Sequence, residues 1–180
     1  MRHRALRGRR EGCAFTMQIT IRPVRDGDAA AVNGLLSQIV RVHHKVRPDL
    51  FRAEFHADDN NVRQSEDEPL FVAVNEENNV VGCIWCLFAK ERDNTLKVDR
   101  DWLCIDDICV EEAYRGQGIG KKLMEFAAGL AREKGLDRIQ LNVCEDNAAA
   151  VRFYESLGFA TQKRVLELFV PVESTRNLQN

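Results

Sequence analysis

The chain has 180 residues, of which 44% are hydrophobic, and it carries a formal net charge of −2. This length fits one domain, and the hydrophobic fraction is too high for a disordered chain. The small net charge provides no field that would collect nucleic acid or anionic lipid, and no apolar run approaches the roughly 20 residues that span a membrane. We therefore expect a cytoplasmic globular protein without a nucleic-acid or membrane partner.

Residues 1–16 differ from the rest because they hold five arginines and little that could enter a core. They lack the apolar central run of a secretory signal. We predict a basic, disordered and dispensable tail, with an over-extended start before Met17 and an RNA-binding arm as alternatives. Residues 17–172 then form a single domain, and residues 173–180 form a loose C-terminal tail.

The first half of this domain alternates between strand and helix patterns. Residues 18–22 alternate polar and apolar side chains, which predicts a strand ended by Pro23. Asp26 or Asp28 then caps a helix that carries apolar residues at helical spacing from Val32 to Val40. A short helix is predicted over residues 49–61. Residues 70–74 and 80–88 read as two strands of a hairpin, joined by a polar, Asn-rich loop.

The second half begins with a strand over residues 102–110 that is apolar on both faces, as is typical of a central strand. A glycine-rich loop and an amphipathic helix follow, and Gly135 ends that helix as a left-handed cap. Residues 138–143 form the next predicted strand. Asn147 caps a helix that runs to Leu157 and stops at Gly158, and residues 165–170 predict a last strand.

Cys83 and Cys86 form a C-x-x-C spacing, which also occurs in zinc and redox sites. They lie within the predicted strand 80–88, where residues three apart point to opposite faces. No second Cys or His pair stands nearby in the sequence to complete a metal site. We therefore expect buried cysteines that behave as small hydrophobic residues, with no disulfide framework and no metal.

The strongest motif precedes the amphipathic helix, where residues 115–120 read Arg-Gly-Gln-Gly-Ile-Gly. Glycines let the backbone approach a ligand closely, and the unpaired N–H groups of the first helical turn favour an anion. A P-loop would require Ser or Thr at Lys122, and a dinucleotide fingerprint would require glycine at Lys121. A pyrophosphate fits this loop best; a glycine-rich turn without a ligand is the alternative.

Two further features supply candidate catalytic groups. Asn147 and Tyr154 are seven residues apart on a predicted helix, so they share one face at about 10 Å along its axis. Asp106 and Asp107 lie in an otherwise apolar strand, where at most one of them easily reaches a given cleft. The structural alternatives are a helix cap and a core tyrosine for the first pair, and an ion pair with arginine for the second.

Together these motifs resemble the signature of the GNAT N-acetyltransferase family. The resemblance is carried by residues 106–110, 114–120 and 147–159, in the order and at the spacing of that family. It implies an α/β (mixed α+β) fold, with a central mixed sheet of six or seven strands flanked by about four helices. The two central parallel strands would splay apart. It also implies an enzyme that uses acetyl-CoA as co-substrate and needs no metal.

The resemblance also implies roles for individual residues. The pantetheine arm of acetyl-CoA would enter the gap between the splayed strands and lie along Ile108, Cys109 and Val110, pairing with the backbone of the first and third. The pyrophosphate would be held by the loop residues Arg115, Gly116, Gln117, Gly118, Ile119, Gly120 and Lys121, and Asn147 would contact the pantetheine arm. Tyr154 would protonate the departing thiolate, Asp106 would bind and deprotonate the amine, and Asp107 would help to bind it.

The acceptor is less well specified. The acidic pair is similar to that of polyamine and diamine acetyltransferases, although those begin it with Glu where Asp106 stands. We expect a small polyamine-like or amino-acid-like primary amine, with protein N-terminal or lysine amines, or a silent CoA-binding regulatory module, as alternatives. By the resemblance, residues 40–61 would cover this site; they include His43, His44, Arg47, Asp49 and Phe51. We expect the histidines to be a helix-end pair, with a metal, a proton relay and a homodimer left open.

Overall fold

A computed structural model of the chain describes residues 17–55 and 65–170. The predicted tails therefore lie outside the described residues, and the domain bounds remain predictions. The elements in chain order are β1 (Thr20–Pro23), α1 (Ala29–Val46), β2 (Leu70–Val74), β3 (Val80–Glu91), β4 (Arg100–Val110), α2 (Ile119–Glu133), β5 (Ile139–Leu141) and α3 (Ala148–Ser156). Short 3₁₀ turns at Asp26–Asp28 and Glu112–Tyr114 precede α1 and α2.

The strands form one mixed sheet in the order β1-β2-β3-β4-β5. Every neighbouring pair is antiparallel except β4 and β5, which are parallel. The expected α/β fold with a mixed sheet is confirmed, although the described residues form five strands and three α-helices, fewer than expected. No helix among these residues has the length and apolar composition needed to cross a lipid bilayer.

Two hydrophobic layers cover the two faces of the sheet. On one face, α1 packs Val32, Leu35 and Leu36 against a cluster that contains Cys83. On the other face, α2 packs its apolar stripe against a cluster that contains Cys86. The two cysteines thus lie in separate layers, and the prediction that they face opposite sides of β3 is confirmed.

The central strand β4 contains a β-bulge at Asp106. Trp85 of β3 pairs with Asp107 and the next residue, Cys86, pairs with Ile105, so Asp106 has no partner on β3. Ile105 and Ile108 both pack on the α2 side although they are three residues apart, which regular alternation would not allow. The extra residue leaves Asp106 exposed, and Asp107 pairs with Trp85, which packs on the α1 side.

The strand predicted over residues 165–170 is wrong, because this segment pairs with no strand among the described residues. Its apolar side chains are 72% to 90% exposed: Val165, Leu166, Leu168, Phe169 and Val170. The sheet edge beyond β4 is β5, which has only three residues and offers few hydrogen bonds. An alternating pattern indicates that a strand is possible, but pairing also requires an edge of comparable length.

The helix predicted over residues 49–61 is also absent from its described part. Residues 49–55 form turns and bends, and residues 56–61 lie outside the described residues. The chain reverses here because the amides of Leu50 and Phe51 both donate to the carbonyl of Arg47. The Arg47 side chain also hydrogen-bonds to Asp49, with Nε of Arg47 donating to Oδ1 of Asp49 at 2.9 Å. These local contacts compete with continued helix formation.

Candidate active site

A gap opens between the two parallel strands. β5 pairs with β4 only from Leu103 to Ile105, and β4 then continues alone to Val110. The pairing ends immediately before the bulge, as expected of a feature that bends a strand and increases its twist. The Glu111 amide donates to Val81 of β3 at 2.9 Å, so alternation turns the backbone groups of Ile108 and Val110 away from β3. This leaves an open strand edge toward β5.

The glycine loop lies at the end of this edge. Gly116 and Gly118 have φ angles of 76° and 80°, and an added Cβ at either would meet nothing within 4 Å. Within the described residues, no carbonyl accepts a hydrogen bond from the amides of residues 116–118. The amides of residues 119–121 open α2 and have no partner in the preceding turn. The loop therefore presents a row of free donors at the positive end of a helix dipole.

Arg115 anchors this loop to the rest of the site. Its Nε donates to the Val110 carbonyl at 3.0 Å and its Nη2 donates to Oε1 of Gln38 at 3.2 Å. Gln38 is buried in α1 and its Nε2 donates to Oε2 of Glu111 at 2.6 Å. The described contacts of Arg115 thus hold the loop against β4 and α1, and its predicted role toward the cofactor remains a prediction. Sequence reasoning did not single out Gln38, because its partners lie more than 70 residues away.

Helix α3 packs against the first turn of α2. A Cβ added to Gly120 would lie 3.2 Å from Cζ of Phe153, so the two helices touch at this glycine. Asn147 begins α3 as predicted, with its Oδ1 accepting from the Ala150 amide at 3.2 Å. The Nδ2 group of Asn147 donates to no partner among the described residues. We define the cleft as the space bounded by the open edge of β4, the start of α2 and α3.

Tyr154 of α3 and Asp107 of β4 belong to two elements that bound this cleft, are both half-buried and interact electrostatically. The Tyr154 ring packs edge-on to Phe159, with centroids 5.8 Å apart. Burial and the charge of Asp107 raise the pKa of Tyr154 to about 12, so its hydroxyl keeps its proton at neutral pH. Burial and the charge of Asp106 raise the pKa of Asp107, whereas His43 lowers it. His43 of α1 acts on Asp107 of β4, and Asp107 acts on Tyr154 of α3, so Asp107 lies within electrostatic range of both side chains.

The two acids therefore differ in their positions. Asp106 is exposed at the bulge, and Asp107 is half-buried beside Tyr154. That at most one of them easily reaches a given cleft remains a prediction, as do the roles of Asp106 as base and of both acids in binding the amine. Cys109 has its side chain in the core on the α1 side. Its backbone is turned to β3 by the same alternation, so Ile108 and Val110 carry the open edge.

The end of α1 and the turn after it form one wall near Asp107. The ring of His43 stacks on Phe51 with centroids 4.7 Å apart, and Nδ1 of His44 lies 2.8 Å from the Phe51 carbonyl. Arg47 forms ion pairs with Asp49 and with Glu167 of the C-terminal segment, both at 2.8 Å. In the part of the chain that the structure describes, no group of three or more His, Cys, Asp or Glu residues has an arrangement suited to a metal ion.

Known proteins with similar sequences are acetyltransferases. N-alpha-acetyltransferase 30 of Saccharomyces cerevisiae is 32% identical over 107 residues, which are 57% of this chain and 58% of that protein. The chain spans 47% to 63% of the length of the first curated relatives that it matches. Peptidyl-lysine N-acetyltransferase YjaB of Salmonella typhimurium is 30% identical over 148 residues, which are 82% of this chain and 88% of that protein.

The fold also matches solved structures. The X-ray structure of the tetramutant of the BH1408 protein from Bacillus halodurans matches with a TM-score of 0.75 and 28% sequence identity. The match covers 84% of this chain and 99% of that one. Residues 38–159, which contain the cleft, the glycine loop and α3, match the model of the Acetyltransferase (GNAT) family. The chain therefore belongs to the GNAT acetyltransferase family.

Proposed function

We propose that the protein transfers an acetyl group from acetyl-CoA to a primary amine, by direct attack within a ternary complex. One observation carries this proposal: the open edge of β4 leads from an unpaired donor loop at residues 116–121 to the protonated Tyr154. A loop of this kind suits a pyrophosphate, an open strand edge suits an extended amide-containing arm, and a phenol suits a leaving thiolate.

The residues present fit acetyl-CoA along its length. The amides of residues 116–121 would hold the pyrophosphate, and the backbone of Ile108 and Val110 would pair with the pantetheine amides. The Val110 carbonyl already accepts from Nε of Arg115 at 3.0 Å and weakly from Sγ of Cys109 at 3.9 Å, so the Val110 amide is the group of this residue that would pair with the arm. The free Nδ2 of Asn147 would donate to the same arm. When bound, the co-substrate supplies a thioester whose acetyl carbon is open to attack by an amine.

The side chains of the cleft would then handle charge and protons. A lysine-like amine has a reference pKa near 10.4, so it arrives as a cation and must lose a proton before it attacks. Asp106 and Asp107 would attract that cation, and a base beside it would take the proton. Backbone N–H groups on the open edge of β4 would face the developing negative charge on the carbonyl oxygen. Tyr154 would deliver its proton to the sulfur as it departs.

The preferred acceptor is a small cationic amine of polyamine-like or amino-acid-like type, because the half-buried Asp107 and the exposed, adjacent Asp106 together place two negative charges on this part of β4. A peptidyl-lysine amine is the second candidate. It is favoured by the similarity to YjaB, which extends over 88% of that protein. Both acceptors present the same primary ammonium group, so the cleft chemistry is shared and the surrounding surface must distinguish them.

The test is release of free CoA thiol from acetyl-CoA with a panel of diamines, polyamines, amino acids, and peptides with either a lysine or a free N-terminus. We expect release above the amine-free rate for at least one class, and the class with the highest kcat/KM identifies the acceptor. Isothermal titration with CoA is run alongside. Binding of CoA without acceptor-dependent release would point to a silent CoA-binding module, and absence of CoA binding would overturn the proposal entirely.

A further inference from the structure

We propose that His43 is the base that accepts the proton of the acceptor amine, and that Asp107 holds the amine and the resulting imidazolium. This inference rests on the proposed function and names the proton acceptor within the same site. His43 and its neighbour His44 each follow an apolar residue of α1 by four positions, and the contacts of the two rings in the structure distinguish them.

The first argument is the face of α1 on which His43 lies. Leu36 and Ile39 belong to the stripe of α1 that packs on the sheet. His43 follows them by seven and four residues, so it lies on the same stripe, one turn further along. Arg41 and Val42 are exposed, whereas His43 is half-buried. The His43 ring is therefore turned toward the sheet, beyond the end of the apolar contacts.

The second argument is the position of His43 along β4. The hydrogen bond from Gln38 to Glu111 fixes where α1 passes the end of β4. Five residues of helix extend about 7.5 Å from that point. Asp107 lies four residues back along β4 from Glu111, and the charge of His43 acts on Asp107. The helix and the strand thus run in opposite directions here, and His43 lies over the segment that carries Asp107.

The third argument is that the His43 ring is oriented but keeps its nitrogens free. It stacks on Phe51 with centroids 4.7 Å apart and an interplanar angle of 35°. No hydrogen-bond partner of His43 occurs among the described residues, whereas Nδ1 of His44 contacts the Phe51 carbonyl at 2.8 Å. A base needs a fixed ring and a free nitrogen lone pair. Of the two histidines, only His43 combines both within the described contacts.

The charged groups around His43 come from β4, from α1 and from the turn after α1. Asp107 of β4 interacts electrostatically with His43, and Asp107 also interacts with its neighbour Asp106 and with Tyr154 of α3. Arg41 and Lys45, the cations of α1 on either side of His43, are exposed. Arg47, which follows α1, forms ion pairs with Asp49 and Glu167. An imidazolium formed beside Asp107 would compensate a half-buried carboxylate that has no ion-pair partner among the described residues. The ring would return its proton to water after each turnover.

The protons balance over one cycle. The ammonium gives one proton to His43, and the neutral amine forms a C–N bond to the acetyl carbon as the C–S bond breaks. The nitrogen loses its second proton as the amide forms, and the thiolate takes one proton from Tyr154. The proton from the amide nitrogen returns to the phenolate through the cleft water. The proton on His43 leaves to solvent, which accounts for the one proton that the net reaction releases.

The experiment compares His43→Gln with the matched control His44→Gln, using the best acceptor of the panel in single-turnover measurements from pH 7 to pH 9. We expect His43→Gln to be slower by about 10²-fold at pH 7, as is typical of a lost general base. The deficit should shrink about tenfold per pH unit, because the free-amine fraction rises by that factor below a pKa near 10.4. The ratio for His44→Gln should be flat across this range.

A second pair of variants separates the chemical role from a structural one. Added imidazole should restore part of the rate of His43→Ala and none of the rate of His44→Ala, with melting temperature and CoA affinity measured for each. A pH-independent deficit in His43→Gln without imidazole rescue would show that His43 only shapes the site, and the inference would be wrong. Absence of wild-type turnover with every amine would instead overturn the proposed function, and this inference with it.

Discussion

Two acidic side chains, Asp28 and Asp107, are removed from water in different ways. Asp28 precedes α1 and forms a bidentate ion pair with Arg22. Nη1 and Nη2 of Arg22 donate to the two carboxylate oxygens of Asp28 at 2.6 and 3.0 Å. The amide of Arg25 adds a third hydrogen bond at 2.8 Å. The Arg22 hydrogen bonds lower the pKa of Asp28 below its usual range. Asp107 has no ion-pair partner among the described residues, and burial raises its pKa.

This difference in hydrogen bonding indicates which of the two acids stabilises the fold. Arg22, Arg25 and Asp28 form a corner before α1. The carboxylate of Asp28 there accepts hydrogen bonds at both oxygens, so these interactions stabilise the fold. The cleft around Asp107 leaves the carboxylate uncompensated, which costs stability and keeps the charge available for a cationic ligand. Unpaired, perturbed acids of this kind cluster at functional sites. Substitutions in the cleft should therefore reduce activity, whereas those at the corner should reduce stability.

The largest effect is expected in the cleft, for Tyr154→Phe. The ring and its packing against Phe153 and Phe159 are kept, so folding and CoA affinity should change little. The chemical step should slow by about 10² to 10⁴-fold, the usual contribution of a general acid. Single-turnover kinetics with the identified acceptor measures this. A wild-type rate in this variant, with chemistry rate-limiting, would mean that water protonates the thiolate and that Tyr154 is a core residue.

At Asp28, the change Asp28→Ala should lower the free energy of unfolding by about 2 kcal/mol, because it removes the charged hydrogen bonds and the counter-charge of the half-buried Arg22 guanidinium. The rate per folded molecule should be unchanged. The pKa of Asp28 is lower in the folded state, so its contribution is present above the unfolded value near 3.9 and is lost as the pH falls through the folded value. Urea unfolding at pH 7 and at acidic pH checks this; loss of activity at full stability would contradict the comparison.

In the glycine loop, Gly118→Val should weaken CoA binding by about 10 to 100-fold, since a branched side chain disfavours the φ of 80° and would occupy the space of the phosphates. Gly129→Ala is the matched control, because it adds a Cβ within α2 where nothing lies within 4 Å. That variant should bind CoA normally and gain a little stability. Isothermal titration measures both, and unchanged affinity in Gly118→Val would place the phosphates elsewhere.

The smallest expected effect is a change in the free energy of unfolding at Asp107, and it tests the contrast between Asp107 and Asp28 most directly. The pKa of Asp107 is higher in the folded state than in the unfolded state. Its protonated form therefore stabilises the fold fully below the unfolded value near 3.9, and that contribution is lost as the pH rises through the folded value. At pH 7, Asp107→Asn should be more stable than the wild type by on the order of 1 kcal/mol and should acetylate poorly. Paired urea titrations at pH 7 and pH 3.5 measure this gain, and a destabilised Asn variant would show that the charge is compensated.

The sequence was sufficient wherever a signal is local. The observed bounds of β2 are those that the sequence predicts, and Asn147 caps α3 as expected. Gly135 and Gly158 adopt the left-handed conformation expected of helix ends. Each of these features depends on residues within a few positions of one another. The glycine loop belongs to the same class, because its φ angles follow from the glycines themselves.

Features that depend on residues distant in the sequence could not be predicted from local patterns. The bulge at Asp106 is defined by pairing with Trp85 and Cys86, so no pattern within β4 fixes its position. The difference between His43 and His44 depends on which side of α1 meets β4. The segment 165–170 has a strand pattern, but strand formation also depends on an available edge, and β5 is too short to provide one. Local periodicity cannot supply any of these three facts.

The bulge also means that β4 carries one residue more than its hydrogen-bond ladder uses. If Asp106 were removed, Ile105, Asp107 and Ile108 would follow one another with ordinary alternation, and each would keep the face that it has now. A one-residue deletion in the centre of a core strand would therefore preserve the packing of both hydrophobic layers while straightening the strand. In alignments of this chain with others, a gap at position 106 would thus mark a change in the shape of the cleft rather than a change of fold.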